Sequence, residues 1–239
     1  MEIITIDGPS GVGKGTLGVY LADRLNFNYL NSGALYRSIG YIADLKSIDL
    51  ADEEMLISIT QSIAFNFNKA SKDIEIIYKN KNINKKIFNE KTAKTASKIA
   101  SISSLRKSIV NIQRSFAKEP GLVAEGRDMG SMIFPDAIIK IFLTASTTTR
   151  AKRRHNQLKE KGINVSLSQL IDELEARDKR DTFRVASPLI VPEDALVIKT
   201  DNKSVGKVQE RVMIYIGNTI KIWMNLLKIF LSQVNIAKR

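Results

Sequence analysis

The stretch Gly8-Pro9-Ser10-Gly11-Val12-Gly13-Lys14-Gly15-Thr16 follows directly on the apolar run Ile3-Ile4-Thr5-Ile6. This order predicts a short buried strand, a glycine-rich loop and a helix beyond Lys14. Because glycine has no Cβ, the backbone N–H groups of such a loop approach an anion closely, and the helix N-terminus adds partial positive charge. All nine residues of the loop are therefore predicted to bind the phosphates of a nucleotide such as ATP.

Lys14 and Thr16 are the two side chains of this loop to which we assign chemistry. Lys14 reaches the β- and γ-phosphates, and a hydroxyl helps to hold Mg²⁺. The general pattern has Ser or Thr directly after the lysine, whereas here Gly15 intervenes. We therefore expect Thr16 to contact the metal partly through water.

The composition excludes several classes of site. The chain has 239 residues, 44% of them hydrophobic and 26% charged, which is ordinary for a globular α/β protein. It has no cysteine, so disulfides and thiolate metal sites are excluded. The one histidine, His155, argues against a histidine-based triad or metal cluster.

The net charge of +12 is compatible with two kinds of partner, nucleic acid or anionic small molecules. Many of the lysines lie between Lys69 and Lys98, in a stretch that has no RNA-binding aromatic motif. We expect small anionic substrates and no nucleic acid. The N-terminus leads straight into the first strand without a signal-type segment, so we expect a cytoplasmic protein with no transmembrane segment.

Within residues 28–117 the spacing of apolar residues changes from helical to alternating and back to helical. A second strand is predicted near Tyr29-Leu30, and Ser32 is placed to cap the helix that follows it. From Ile63 apolar residues alternate, which predicts three short strands separated by polar turns. Helical spacing returns from Lys91 to Ala117. The β stretch is therefore predicted to be a small insertion.

The second half alternates strands and helices. Leu122–Ala124 and Ile138–Leu143 are predicted as buried strands and Ala195–Ile198 as the last strand, with helices at Arg150–Lys161 and Leu167–Arg184. This order indicates an α/β fold with a doubly wound parallel sheet, whose ligands bind at the carboxyl ends of the strands. A long C-terminal helix follows.

Taken in order, the motifs resemble those of the bacterial cytidylate kinases, which are P-loop nucleoside monophosphate kinases. The matching stretches are Ile6 to Thr16, Ser32 to Arg37, Gly126 to Gly130, Phe134 to Ala137, Lys140 to Leu143, Arg177-Asp178, Asp181, Arg184 and Ser187 to Leu189. The resemblance implies one kinase domain over 1–239, with a core of 1–31, 118–150 and 190–216. It implies an acceptor-binding region at 32–117 with its β insertion at about 63–101, a helical lid at about 151–189, and a helical extension at 217–239.

The resemblance also implies the reaction, which is transfer of the γ-phosphate of ATP, with Mg²⁺, to CMP or dCMP. The residues that would contact the acceptor are Ser32, Arg37, Ser97, Arg106, Arg127, Asp128, Arg177, Asp181 and Arg184. The residues that would act in catalysis are Lys14, Arg127, Arg184, Arg153 and Arg154. Of the acceptor residues, Arg37, Arg127 and Arg184 would mainly hold the phosphate, and Arg106 and Asp128 suit the cytosine edge.

Electrostatics independently favours a phosphate acceptor. Two phosphate groups of charge about −2 repel by on the order of 10 kcal/mol at roughly 5 Å and an effective dielectric constant near 20. An enzyme that joins them needs cations, preferably arginines with bidentate geometry. Arg177, Asp181 and Arg184 lie at i, i+4 and i+7, on one helix face, where a surface ion pair is the alternative explanation.

Two alternative functions and the role of the C-terminal extension stay open at this point. A related kinase for another acceptor, such as UMP, would share these motifs, and a nucleotide-binding interaction protein would use the basic surface. The extension 217–239 combines a polar stripe that includes Asn218, Lys221 and Asn225 with a broad apolar face. That face packs on the protein's own core, forms a dimer contact or binds a membrane surface, and we expect a monomer.

Overall fold

A computed structural model describes residues 1–68, 70, 73–160 and 162–236, and the side chains of all of these except 73 and 221–236. Two compact units are formed by Met1–Asp201 and Asn202–Arg239. The strands are β1 (Glu2–Asp7), β2 (Asn28–Asn31), β3 (Ile63–Asn68), β4 (Asp73–Tyr78), β5 (Lys81–Asn82), β6 (Gly121–Gly126), β7 (Ile139–Thr144) and β8 (Leu196–Lys199). The helices are α1 (Lys14–Leu25), α2 (Ser32–Leu45), α3 (Glu53–Gln61), α4 (Asn84–Ile87), α5 (Glu90–Ile99), α6 (Ser103–Arg114), α7 (Thr147–Glu160), α8 (Leu167–Phe183) and α9 (Val205–Ile236).

The central sheet has five parallel strands in the order β2-β6-β1-β7-β8. Its middle strand, β1, is buried on both faces from Ile4 to Asp7 and pairs with β6 on one side and β7 on the other. Asp7, the last residue of β1, is in register with Gly126 and Phe142. The carboxyl ends of β1 and β6 therefore lie side by side, which places the glycine-rich loop next to the segment that begins at Arg127. The predicted α/β parallel sheet is confirmed.

The three predicted short strands form the antiparallel sheet β3-β4-β5. The third strand has two residues, and Ile83 follows it as a buried core residue. Residues 91–117, predicted as one helical stretch, form α5 and α6 with a break at residues 100–102. The break turns the chain so that α5 packs against α2 while α6 packs against α3.

Two local features differ from the sequence prediction. Ser32 is the first residue of α2 and does not cap it, because the Asn31 side chain accepts the N–H of Ala34 instead. Met129–Ile133 forms a π-helical turn, which no periodicity in the sequence indicated. The polar stripe predicted on 217–239 lies mostly outside the described side chains, and none of the described helices is long and apolar enough to cross a membrane.

Candidate active site

The glycine-rich loop has a backbone that a side chain would disrupt. Gly8 has φ +142°, and a Cβ added there would lie 2.1 Å from the Leu143 carbonyl oxygen. Lys14 is buried at the start of α1, and its Nζ donates to the carbonyls of Gly8 and Pro9, at 2.8 Å each. Burial lowers the pKa of this ammonium well below its usual value. The loop therefore holds one confined cation against its own carbonyl groups.

Glu125 is a functional candidate that the sequence analysis missed. It lies near the carboxyl end of β6 and is buried, and its Oε1 accepts the Tyr29 hydroxyl at 2.6 Å. Burial raises the pKa of this carboxyl, which Lys14 opposes. A Cβ at Gly15 would lie 3.4 Å from the same oxygen. Its position near the end of a strand adjacent to the loop strand was the available signal.

Thr16 is exposed on α1 and is not among the residues that line the cavity beside the loop. Among the described residues, no group of three or more His, Asp or Glu side chains is arranged to hold a metal ion. A cation at this loop would therefore take most of its ligands from phosphate oxygens and water, as Mg²⁺ commonly does.

A small cavity gathers the predicted acceptor side chains from well-separated parts of the chain. It has a volume of about 50 Å³ and lies between α2, α5, α6, the segment after β6, and α8. Of the predicted residues, it is lined by Ser32, Ser97, Arg106, Arg127, Asp128, Arg177, Asp181 and Arg184. Arg37 is the exception, because it lines the neighbouring cavity of about 200 Å³ beside the glycine-rich loop.

Two arginines connect these cavities. Arg127 and Arg177 line both the acceptor cavity and the cavity beside the loop. Arg177 Nη1 also donates to the Ser10 hydroxyl of the loop at 3.3 Å. Burial, followed by the nearby Arg127, lowers the pKa of Arg177 to about 10. The two cavities therefore share a cationic wall.

The acceptor cavity holds its charges in pairs. Arg127 Nε donates to Asp181 Oδ2 at 2.8 Å, and Arg106 forms an ion pair with Asp128. Burial raises the pKa of Asp181, but Arg127 and other arginines outweigh it, so the net pKa is lowered. Burial lowers the pKa of Arg184, which lies 3.8 Å from Asp128. The carboxylates thus keep several arginines close together in a buried site.

Three guanidinium nitrogens in this cavity have no hydrogen-bond partner among the described residues. They are Nε of Arg106, Nε of Arg177 and Nη2 of Arg184, and all three are buried. A buried donor without a partner is costly, so such donors are usually matched by a ligand or by water. Next to them, Gln113, which is also buried, donates to the Ser32 hydroxyl at 2.8 Å.

The arginines of α7 make three different contacts. Arg150 is buried and donates to both oxygens of Asp178 and to the Ser10 carbonyl. Arg153 bonds to the Thr200 hydroxyl at 3.0 Å and to its carbonyl at 2.5 Å. Arg154 forms an ion pair with Glu90 of α5. All three line a cavity of about 670 Å³ that also contains loop residues Ser10 and Gly11.

Asp7 joins the loop strand to the acceptor segment. Its carboxylate is 1% exposed, and its two oxygens accept the N–H groups of Met129 at 3.0 Å and Gly130 at 2.8 Å. Burial raises its pKa to about 6; the Met129 and Gly130 N–H groups and Lys14 lower it, and Asp128 raises it further. Asp7 therefore connects the residue before Gly8 with the segment after Arg127.

The sequence is similar to known proteins over most of its length. A family model described as cytidylate kinase matches residues 4–218. A cytidylate kinase of Nitrosomonas europaea is 45% identical, covering 89% of this chain and 94% of its own length. One of Photobacterium profundum is 40% identical, covering 92% and 96%. One of Pseudomonas syringae pv. tomato is 45% identical, covering 88% and 93%.

Proposed function

The chain belongs to the cytidylate kinase family, and from that premise we propose how its residues divide the work of the reaction. It is a (d)CMP kinase, which transfers the γ-phosphate of ATP to CMP or dCMP and releases ADP and CDP or dCDP. The observation that carries our assignment is the wall of Arg127 and Arg177, which both the loop cavity and the acceptor cavity share. A phosphoryl group crossing between the cavities stays beside these cations throughout.

We assign the donor nucleotide to the loop Gly8–Thr16, with Lys14 on its β- and γ-phosphates. We assign the phosphate of CMP to Arg37, Arg127 and Arg184, and the cytosine edge to Arg106 and Asp128. The unpartnered N–H groups of Arg106 and Arg184 support these roles, because they supply buried donors for an acceptor-rich ligand. Ser97 and Asp181 are assigned to the sugar, together with Arg177, whose side chain also forms part of the wall shared by the two cavities.

An oxygen of the CMP phosphate attacks the γ-phosphorus of ATP in line. The new P–O bond forms as the bond between that phosphorus and the β–γ bridging oxygen breaks, and ADP leaves with the bonding electrons. The residues around the site position both nucleotides and neutralise the charge on the transferred group. An ionised phosphate needs no strong base, which suits a chain with one histidine.

Mg²⁺, when bound, neutralises charge on the phosphates of ATP. We place it beside the loop, close to two side chains. Glu125 has a buried carboxylate next to Gly15, and Thr16 has an exposed hydroxyl in the first turn of α1. Both side chains supply oxygen, the ligand type that Mg²⁺ prefers. Substitution of Glu125 by Gln is expected to raise the Mg²⁺ concentration needed for half-maximal activity.

We further propose a monomer in the cytoplasm, divided into core, acceptor-binding region, lid and extension at the boundaries predicted above. The lack of cysteine suits a reducing compartment. Light scattering on the full-length protein tests the monomer directly, since a mass of two chains would overturn it and make the extension 217–239 the first candidate for the contact.

The test of function measures ADP release from ATP and Mg²⁺ with CMP, dCMP, UMP and AMP offered separately. Strong turnover with CMP and dCMP is expected, with UMP weaker because its carbonyl replaces the cytosine amino group that Asp128 accepts. Faster turnover with UMP or AMP would overturn the assignment of the base pocket. Release of ADP no faster than from ATP alone would overturn the kinase assignment.

A further inference from the structure

Asp7 makes contacts that the pairing of its own strand does not require. Strand β1 is already joined to β6 along its whole length, from Glu2 opposite Gly121 to Asp7 opposite Gly126. The hydrogen bonds from Met129 and Gly130 lie beyond that ladder, on the π-helical turn. The carboxylate therefore fixes the chain after β6 rather than the strand itself.

The segment fixed in this way carries acceptor residues. Arg127 and Asp128 stand between Gly126, the end of β6, and Met129, the first anchored residue. With both ends of this short segment held, its two side chains have little freedom to shift relative to the loop that starts at Gly8. The anchor is close-packed as well, because a Cβ on Gly130 would lie 2.7 Å from Thr5 Oγ1.

A buried carboxylate accepts these two hydrogen bonds at a large cost in desolvation free energy. Burial and the neighbouring charge of Asp128 both disfavour its ionised form, and the two N–H groups and Lys14 only partly offset them. A neutral side chain would avoid that cost. A buried carboxylate at the junction of two proposed substrate sites is therefore a candidate for a functional role.

We propose that Asp7 is a positioning residue for phosphoryl transfer, which sets the distance and alignment between the donor loop and the acceptor residues Arg127 and Asp128. It touches neither nucleotide. Each half of the site binds its own substrate without Asp7, but the reacting atoms meet in line only when the two halves are joined. The inference rests on the acceptor roles proposed above for Arg127 and Asp128.

The variant Asp7→Asn tests this in the full-length enzyme. Asparagine keeps the shape and one accepting oxygen, but it turns an NH₂ group toward the second backbone N–H. We expect kcat with ATP and CMP to fall by about 10- to 100-fold, because a misplacement of about 1 Å costs on that order, while the KM values for ATP and CMP change less than about threefold. Asp194→Asn, at an exposed carboxylate paired with Lys140, is the matched control and should keep the parent kinetics.

Equal loss of affinity for both nucleotides, or an unchanged kcat, would overturn the proposal, because either result would leave Asp7 a purely structural or an inert group. Should Asp7→Asn not fold, Asp7→Ser carries the same test, since it removes the carboxylate and its hydroxyl is one bond too short to hold the two N–H groups. The parent enzyme separates the two levels of inference. If it fails to phosphorylate CMP, the proposed function fails; if it succeeds and Asp7→Asn matches it, only the role of Asp7 fails.

Discussion

The donor loop is a run of nine consecutive residues, whereas the acceptor cavity is lined by side chains from five separate elements. In the loop, specificity for phosphate comes from the backbone conformation, so a short glycine-rich motif is enough to recognise it in the sequence. In the cavity, it comes from arginines that are spread along the chain from residue 106 to residue 184. The contrast predicts that the loop is sensitive to added atoms and the cavity to removed charges.

The largest effect is expected from removing a charge at the wall between the two cavities. Arg127→Ala should lower kcat with CMP by about 10³-fold, which corresponds to about 4 kcal/mol of transition-state stabilisation. It also leaves Asp181 buried without its 2.8 Å partner. Steady-state kinetics would measure the effect, with the exposed Arg24→Ala as control. A loss below about tenfold would show that the cavity does not depend on this charge.

Adding an atom to the loop should act on folding. Gly8→Ala places a Cβ 2.1 Å from the Leu143 carbonyl oxygen at a strained φ, so the free energy of unfolding should fall by at least about 3 kcal/mol. Urea denaturation would measure it. Gly206→Ala is the matched control, because no atom lies within 4 Å of its added Cβ, and it should be neutral or slightly stabilising. Equal stability of the two variants would contradict the steric argument.

The junction between the two regions should show in the pH dependence of stability. The pKa of Asp7 is about 6 in the folded protein, against an ordinary value of 3.8. The folded state therefore holds this proton more tightly, and the free energy of unfolding falls as pH rises through the interval from 3.8 to 6. Relative to Asp7→Asn, the parent should lose about 2 kcal/mol between pH 4 and pH 7. Denaturation curves that stay parallel across this range would refute the shift.

The smallest effect is expected where α7 meets α5. Glu90 is 42% exposed and pairs with Arg154, so Glu90→Gln should change the free energy of unfolding by less than about 0.5 kcal/mol. Freeing Arg154 for phosphate should lower the KM for ATP by no more than about threefold. Isothermal calorimetry with ATP would check the affinity. A large rise in KM would show that the ion pair holds the lid in its working position.

Most of the fold was predictable because its signals are local. Apolar runs predicted the strands of the parallel sheet, and alternating apolar and polar residues predicted β3 and β4. The spacing of the glycines alone indicated the loop. The break at residues 100–102 and the turn at Met129–Ile133 were not predictable, because both depend on what the chain packs against. Ser32 illustrates the same limit, since its hydroxyl is bound by Gln113, 81 residues away, rather than by its own helix.

The resemblance supplied nine proposed acceptor residues, and the structure brings eight of them to one cavity. The ion pairs within the cavity could not be predicted, because the positions of Arg127 and Asp181 in the sequence do not indicate that the two side chains meet. Glu125 was missed because a single acidic residue after an apolar run is typical of an ordinary strand end, and it does not by itself indicate a functional group. Arg153 and Arg154 stay predicted catalytic residues, and their partners Thr200 and Glu90 lie far away in sequence.

The proposed acceptor-binding region, residues 32–117, lies in the chain between β2 and β6, which are neighbouring parallel strands with Asn28 opposite Leu122 and Asn31 opposite Glu125. The chain therefore leaves at the carboxyl end of β2 and returns at the amino end of β6, about 13 Å further back along the strands. Both ends of the insert are thus fixed by one pair of strands. The proposed acceptor contacts Ser32, Arg37, Ser97 and Arg106 lie within it, and Arg127, Asp128 and Arg184 lie outside it. A change in this one segment can therefore alter part of the proposed base and phosphate contacts while the sheet, the glycine-rich loop and Arg127 stay in place.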